Sequence, residues 1–334
     1  MSSSNVSLSN MLVKLEELVG ISLKLWDIPE NVSVELLNVS ENFTYLITNS
    51  EGFKAVLRVH RENYHSRRSI ECELSWIDAL SKSRLVETPS YFLGKDGAAI
   101  QECSLGGRNG SRYLVLFHFV SGSAPEENEN SEIFYEELGQ LAGNCHNHVL
   151  SWKRPTNFER LTWDIDTIFG NNAHWGNWRL APEVTTEVKD KLERVELKIR
   201  ERLLDYGKSE KRFNLIHADM RLANLLIHKG RTKLIDFDDC GFGWFMYDFA
   251  SAVSFIEDNP RLPHFKSAWI KGYKSVRDLS TEDENEIDTF IMLRRMALLA
   301  WIGSHIEAPE PQELSPGFAA TSAKLGEIWL KSLD

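Results

Sequence analysis

The sequence predicts an α+β fold in two lobes, a small antiparallel-sheet lobe followed by a larger, mostly helical one. Three observations lead to this prediction. Short runs rich in Val, Leu and Tyr, separated by turn residues, fill the first third of the chain. Helical periodicity dominates the remainder. A chain of 334 residues also exceeds what one hydrophobic core usually holds, which favours two lobes.

The first lobe is predicted to contain five strands and two helices. Residues 11–26 show helical periodicity, and a second helix is expected at 67–81. The apolar face of that second helix is formed by Ile70, Leu74, Ile77 and Leu80. The predicted strands are at 34–39, 44–48, 54–59, 98–101 and 113–120.

The second lobe is predicted to follow an acidic linker over 126–132. A buried strand at 213–216 precedes a hairpin whose strands are 225–228 and 232–237, and Gly241-Phe242-Gly243 is typical of a flexible turn. The predicted helices are at 133–148, 182–205, 249–257, 283–306 and 317–332.

One motif indicates a reaction. Asn224 follows Asp219 by five positions, and Asp236 follows Asn224 by twelve, with His217 at the start. That H-x-D-x-x-x-x-N spacing, with Asp-Phe at its end, is typical of phosphoryl transfer from a nucleotide. One carboxylate then faces the acceptor hydroxyl, while amide and carboxylate oxygens are the ligands that Mg²⁺ prefers.

This motif predicts the catalytic residues. Asp219 is expected to act on the hydroxyl, and Asn224 and Asp236 are expected to hold the metal, because the hairpin brings them side by side. Asp238 is a reserve ligand. The alternative is a buried His-Asp pair that caps a loop, with Asp238 and Asp239 merely solvated.

These residues resemble the aminoglycoside phosphotransferase family, whose relatives include choline and ethanolamine kinases, type II homoserine kinases and bacterial stress-response kinases. The resemblance rests on segments 217–224, 235–239 and 247–250, and extends from about residue 34 to the end. It implies a protein-kinase-like fold, ATP as co-substrate and Mg²⁺. It also implies a nucleotide-binding lobe at 1–119 and a catalytic and substrate-binding lobe at 120–334.

The resemblance also assigns supporting residues. It implies that Asp248 holds the catalytic loop, with His217 in a supporting role. Ala218 stands where members usually carry glycine. Alanine is the smallest side chain that could replace it, so activity is expected to persist.

Several residues of the first lobe are predicted to bind the nucleotide. Arg58 would grip its phosphates, and Glu73 would pair with Arg58. At about 100° per residue, Glu73 falls within an apolar helix face, where a carboxylate needs a partner. Alternatively Glu73 only borders that face. Glu41 and Asn42 match a Glu-Asn pair that the family carries over the phosphates, although a plain hairpin turn explains them equally well.

Two aromatic regions are further candidates. Backbone groups around Phe117 and Phe119 are predicted to bind adenine, although their side chains fit a core equally well. Residues 161–180 are dense in aromatic and acidic side chains, as in a substrate lid. The predicted acceptor residues are Trp163, Asp164, Trp175 and Asp239. Simple packing is the alternative for each Trp.

Composition limits the partners. A net charge of −11 argues against nucleic-acid binding and permits a cationic acceptor. The four cysteines are scattered, which fits reduced thiols. The segment 145–148 (Cys-His-Asn-His) has no second ligand cluster, so it is a poor metal-site candidate. Without a secretory pattern or a long apolar run, we expect a cytoplasmic protein without a membrane partner, as a monomer or homodimer.

The sequence therefore predicts an ATP-dependent small-molecule kinase. Its acceptor would be an amino alcohol, a homoserine-like compound or an aminoglycoside-like compound. A protein Ser/Thr kinase of the stress-response type is an alternative, but no A-P-E segment follows Asp236. A non-catalytic nucleotide-binding protein is another, and it would be expected to have lost Asp219, Asn224 or Asp236, all of which are present.

Overall fold

The computed structural model describes residues 8–39, 42–105, 110–125 and 131–333. The chain packs as two compact units. The first unit comprises residues 1–78, 89–120 and 157–159, and the second comprises 79–88, 121–156 and 160–334. The sequence placed one border at 119/120; in the structure the division also gives 79–88 to the second unit and 157–159 to the first.

The first unit is built on an antiparallel sheet with strand order β1-β2-β3-β5-β4. Its strands are β1 (Ser33–Val39), β2 (Asn42–Thr48), β3 (Lys54–His60), β4 (Gln101–Cys103) and β5 (Arg112–His118). Side chains alternate along each strand, so Phe43, Tyr45 and Ile47 of β2 share one buried face. Helix α1 (Leu8–Ser22) packs against that face through Leu15, Leu18 and Val19.

Helix α2 (Arg67–Ser83) carries the predicted apolar face. Its four members are 3% exposed or less, and Glu73 within that face is 0% exposed. This burial confirms the helical phase that was predicted from the sequence. A buried carboxylate needs a charged or hydrogen-bonding partner, so Glu73 is expected to have one.

The second unit is mostly helical, with two small sheets. Its strands are β6 (Leu161–Trp163), β7 (Phe213–Ile216), β8 (Leu225–His228), β9 (Arg231–Leu234) and β10 (Gly241–Trp244). Its helices are α3 (Ser131–Ser151), α4 (Ile165–Phe169), α5 (Thr186–Tyr206), α6 (Tyr247–Ala252), α7 (Leu262–Lys274), α8 (Thr281–Ser304), α9 (Pro309–Leu314) and α10 (Phe318–Lys331). The predicted α+β class is confirmed.

Several local predictions were wrong. Helix α6 ends at Ala252 rather than at 257, and β4 begins at Gln101, where the predicted strand at 98–101 was expected to end. Residues 241–243 are not a flexible turn but belong to β10, which pairs with β7 on one side and β6 on the other. The glycines are needed for close packing: a Cβ on Gly241 would lie 2.5 Å from the carbonyl oxygen of Leu161. Strand β9 ends at Leu234, whereas the strand was predicted to extend to residue 237. Asp236 has a positive φ of 60°, which is incompatible with an extended strand.

In the described part of the chain, no helix combines the length and the apolar character that crossing a membrane requires.

Candidate active site

The predicted catalytic loop, residues 217–224, is held by the buried carboxylate of Asp248 on α6. Its Oδ1 accepts from the backbone N–H of Ala218 at 2.7 Å, and its Oδ2 accepts from that of His217 at 3.2 Å. Ser251, also on α6, accepts a hydrogen bond from the backbone N–H of Met220 through its Oγ at 2.9 Å. Side chains of one short helix thus accept from the backbone N–H groups of residues 217, 218 and 220, which fixes the loop on both sides of Asp219.

Helix α3 contributes a residue that the sequence did not assign. His146 Nε2 lies 3.0 Å from Asp248 Oδ2, and its Nδ1 lies 3.0 Å from the hydroxyl of Tyr273. Burial lowers the pKa of His146, against the opposing influence of Asp248. The segment at 145–148 therefore supplies a support for the catalytic loop. Its sequence signal was a histidine on the buried side of a helix, which needs a polar partner.

Asp219 itself is ringed by donors. Its Oδ2 accepts from Asn224 Nδ2 at 2.9 Å and from Arg221 Nε at 3.3 Å. Its Oδ1 accepts from Arg294 Nη2 at 2.9 Å. Since each carboxylate oxygen has two lone pairs, Oδ2 is filled and Oδ1 retains one open position. The arrangement leaves that position as the point where a hydroxyl could bind.

The charges around Asp219 set its protonation. Burial alone would raise the pKa of its carboxyl group, but Arg221 and Arg294 outweigh burial and hold that pKa below its usual range. Asp219 is therefore ionised at neutral pH and able to accept a hydrogen bond from an alcohol, although it is a weak base.

Asn224 and Asp236 lie next to each other along the β8–β9 hairpin. The carbonyl oxygen of Asn224 accepts from the N–H of Ile235 at 2.9 Å, which places Asp236 one residue beyond. Because its Nδ2 is bound to Asp219, the side-chain oxygen of Asn224 is turned away from that carboxylate. Asp236 is exposed.

These two oxygen donors fit a hard divalent cation, which is commonly bound by one or two side chains plus phosphates and waters. Among the described residues, no cluster of three or more His, Cys, Asp or Glu side chains could hold a metal ion alone.

The segment after Asp236 is fixed by its backbone. Arg160 donates to the carbonyl oxygens of Asp238 and Cys240, the latter at 2.7 Å from Nε. The carbonyl oxygen of Asp239 accepts from Trp163 Nε1 at 2.8 Å. Asp238 is 6% exposed and Asp239 is half-buried. Three consecutive carbonyls thus have side-chain donors from β6 and the residue before it.

An aromatic wall stands beside Asp219. Trp163 and Trp175 have ring centres 4.9 Å apart, and Trp163 stacks on Tyr247 at 6.2 Å. The guanidinium carbon of Arg294 lies 5.1 Å from the ring centre of Trp175 and 5.7 Å from that of Tyr247. Of the predicted acceptor residues, Trp175 lies against Arg294, which is bonded to Asp219. Trp163 is fully buried and packs against Trp175, so the structure gives it the packing role that was its alternative.

Asp164 is placed differently. Its Oδ1 accepts from the N–H groups of Asp166 and Thr167 as the N-cap of α4, and its Oδ2 pairs with Lys208 Nζ at 2.7 Å. Capping and the ion pair use both oxygens, and together they hold the pKa of Asp164 below its usual range despite burial. The structure gives this carboxylate a structural role, so we leave it out of the acceptor site.

The first unit contains the predicted ion pair. Arg58 Nη1 lies 2.6 Å from Glu73 Oε1, and the guanidinium carbon of Arg58 lies 5.0 Å from the ring centre of Phe117. The predicted pairing of Arg58 with Glu73 is confirmed. Phe119, which is 37% exposed, lies under Lys54 Nζ at 5.2 Å.

The predicted phosphate loop is only partly described. Asn42 is the buried first residue of β2, opposite His60 on β3. Glu41 lies outside the described residues.

Comparison with known proteins identifies this arrangement. A model of the phosphotransferase enzyme family matches residues 34–284. The chain belongs to this family. The resemblance found in the sequence is thereby confirmed, with the Asp219–Asn224 loop and the hairpin inside the matched region.

Individual members agree in length and fold. The amicoumacin kinase of Bacillus subtilis (strain 168) is 24% identical over 302 residues, which is 85% of each chain. The solved structure of a microcompartment-associated aminopropanol kinase is 38% identical, has a TM-score of 0.87, and is matched over 95% of this chain and 98% of that one. An amicoumacin kinase in complex with AMP-PNP, Ca²⁺ and Ami has a TM-score of 0.70 at 20% identity, over 94% of both chains. The protein is a small-molecule phosphotransferase that acts on hydroxyl groups.

Arg294, which lies beyond the matched residues 34–284, is another residue that sequence reasoning missed. It lies 75 positions after Asp219, so no local pattern connects the two. One signal was available: Arg294 and Arg295 interrupt an otherwise apolar run from Phe290 to Ile302. Both are 2% exposed, and charges buried in a helix require partners.

Ala218 replaces the usual family glycine in a left-handed backbone conformation, with φ 67°. We expect Ala218→Gly to change the free energy of unfolding by less than about 1 kcal/mol. Glycine relieves the backbone strain, but it also gives the unfolded chain more conformational freedom and removes a buried methyl group. Ala218→Val should destabilise by at least about 2 kcal/mol, because β-branched residues rarely adopt this conformation. Urea unfolding measures both, and equal stabilities for the two variants would contradict the assignment of strain.

Proposed function

We propose that this protein transfers the γ-phosphate of ATP to the hydroxyl group of a small amino alcohol, with Mg²⁺ as the metal. The observation that carries the proposal is Asp219, an ionised carboxylate with one open lone pair, which is held between a metal-ligand pair and an aromatic wall. The 38% identity to an aminopropanol kinase over nearly the whole chain supports the acceptor class.

The residues around Asp219 would have separate roles in the reaction. Asp219 would orient the acceptor hydroxyl and take its proton late in transfer, which suits a carboxylate of lowered pKa. Asn224 and Asp236 would hold Mg²⁺ against the β- and γ-phosphates. His217 and Asp248 would keep the loop in place, since both lie in its hydrogen-bond network.

The first unit would supply the nucleotide contacts. Arg58, oriented by Glu73, would bind the α- and β-phosphates. Glu41 and Asn42 would contribute to phosphate binding, and backbone groups near Phe117 and Phe119 would bind adenine. These assignments rest on the family pattern and on the Arg58–Glu73 pair.

The acceptor site would be formed by Trp175 and Asp239, with the fully buried Trp163 packed against Trp175 as a support. Ring faces attract an ammonium group by roughly 0.5–2 kcal/mol each. Arg294 repels it, so we propose that the ammonium group turns from Arg294 towards the carboxylate of Asp239. Homoserine-like and aminoglycoside-like acceptors share the hydroxyl and the ammonium, and differ in size and charge.

A phosphorylation screen tests the proposal. ATP and Mg²⁺ are supplied with 1-amino-2-propanol, homoserine, an aminoglycoside or the neutral 1,2-propanediol, and ADP release is measured. We expect the highest kcat/KM for 1-amino-2-propanol. If the diol were phosphorylated as efficiently as its amino counterpart, the acceptor class would be wrong.

Arg58 offers a second test. We expect Arg58→Lys to keep the charge and raise the KM for ATP by about tenfold, with a smaller change in the KM for the acceptor. Arg58→Ala would also remove the cation that pairs with the buried Glu73, at a cost of about 3–5 kcal/mol, so unfolding is measured alongside. Arg68→Ala, which breaks a surface pair with Glu71, is the control and should change neither KM. Equal rises in both KM values for Arg58→Lys would count against phosphate binding.

A further inference from the structure

Arg294 is a buried cation placed at the reacting carboxylate. It lies in the middle of α8 and is 2% exposed. Its Nε donates to Ser254 Oγ at 3.0 Å, its Nη1 to the Tyr247 hydroxyl at 3.5 Å and its Nη2 to Asp219 Oδ1 at 2.9 Å. Arginine has five N–H groups, so one on each Nη has no acceptor within the described residues.

Trp175 adds another donor on the same wall. Its Nε1 is buried and has no hydrogen-bond partner among residues 8–39, 42–105, 110–125 and 131–333. Buried N–H groups without acceptors are costly unless a ligand satisfies them. The N–H groups of Arg294 beside the Asp219 carboxylate complement an oxygen atom that donates to the carboxylate and accepts from the guanidinium.

We infer that Arg294 is a catalytic residue that contacts the acceptor oxygen itself. The inference rests on the proposed function, in which a hydroxyl binds at Asp219. That hydroxyl must donate to Oδ1 of Asp219, because Oδ2 already accepts from Asn224 and Arg221. Arg294 Nη2 is bonded to the same Oδ1, so it lies next to the acceptor oxygen.

A contact between Arg294 and the acceptor oxygen would assist phosphoryl transfer. The acceptor oxygen forms a bond to the γ-phosphorus of ATP as the bond to the bridging oxygen breaks; ADP leaves and the hydroxyl proton passes to Asp219. Before that, the carboxylate and the incoming phosphoryl oxygens repel each other. Arg294 neutralises the carboxylate and donates to the oxygen that becomes the ester oxygen, where preorganised donors are most effective.

The neighbouring Arg295 provides a matched control. It is equally buried on α8, but its Nη1 pairs with Glu257 at 2.6 Å and its Nε donates to Ser322, away from the catalytic loop. With ATP and 1-amino-2-propanol, we expect Arg294→Lys to lower kcat by about 100-fold and the KM for ATP to change by less than about threefold. Arg295→Lys should keep kcat per folded molecule within about threefold of the original protein.

Chemical rescue distinguishes a catalytic role of Arg294 from a purely structural one. Guanidinium ion at tens of millimolar should raise kcat of Arg294→Ala by about tenfold and leave Arg295→Ala unchanged. Equal kcat losses for the two lysine variants, or no rescue in a folded Arg294→Ala protein, would overturn the inference.

The original protein tests the proposed function separately. If 1-amino-2-propanol is consumed no faster than ATP is hydrolysed, the acceptor class is wrong. The Arg294 and Arg295 variants are then compared by the rate of ATP hydrolysis, in which water takes the place of the hydroxyl group.

Discussion

Asp219→Asn should lower kcat by about 10²–10⁴-fold while ATP continues to bind. The amide has nearly the same shape as the carboxylate, but it carries no charge and cannot take the hydroxyl proton. Its single oxygen also cannot satisfy Asn224, Arg221 and Arg294 as the two carboxylate oxygens do. Steady-state rates with saturating ATP measure kcat, and a fluorescent nucleotide measures binding.

Asp258→Asn is the control for this change, because it alters an exposed aspartate of the same unit. It should leave both quantities as they are. Turnover of Asp219→Asn close to that of the original protein would remove Asp219 from the catalytic role.

Asp236→Asn is expected to have the second-largest effect, a loss of about 10³-fold in kcat at ordinary Mg²⁺ concentrations. Asparagine adopts positive φ more readily than most residues, so the backbone at φ 60° should persist, and the exposed site should keep its thermal stability. A Mg²⁺ titration of the rate should show half-saturation at a higher concentration, since the weaker amide ligand replaces a carboxylate.

Lys229→Asn, at φ 53° in the turn of the same hairpin, is the matched control and should behave as the original protein. A normal Mg²⁺ dependence for Asp236→Asn would rule Asp236 out as a ligand. Asp238 would then be the next residue to test.

The sequence was most informative where function depends on spacing along the chain. The five- and twelve-residue intervals from Asp219 to Asn224 and on to Asp236 survive as a loop and hairpin. Helical phase predicted that Glu73 is buried and needs a partner, and the family resemblance supplied Arg58 as that partner. Both inferences use local geometry, which a linear pattern encodes directly.

Contacts between distant segments could not be predicted in this way. His146 meets Asp248 across 102 positions, and Arg294 meets Asp219 across 75. The error at 241–243 has the same origin, because a glycine needed for close packing and a glycine needed for flexibility look alike in one sequence. Asp164 was predicted as an acceptor residue because its capping partners lie in a helix of five residues, which is too short to show periodicity in the sequence.

The anchoring of the 238–240 backbone by Arg160 and Trp163 bears on how such an enzyme is controlled. In regulated protein kinases the segment after the metal-binding aspartate moves between two arrangements, and modification selects one of them. Here the carbonyls of that segment are bound to side chains, and the chain continues directly into β10, between two other strands. Such an anchor leaves little room for an inactive arrangement. We therefore expect the flux through this enzyme to follow the amount of protein and the supply of acceptor.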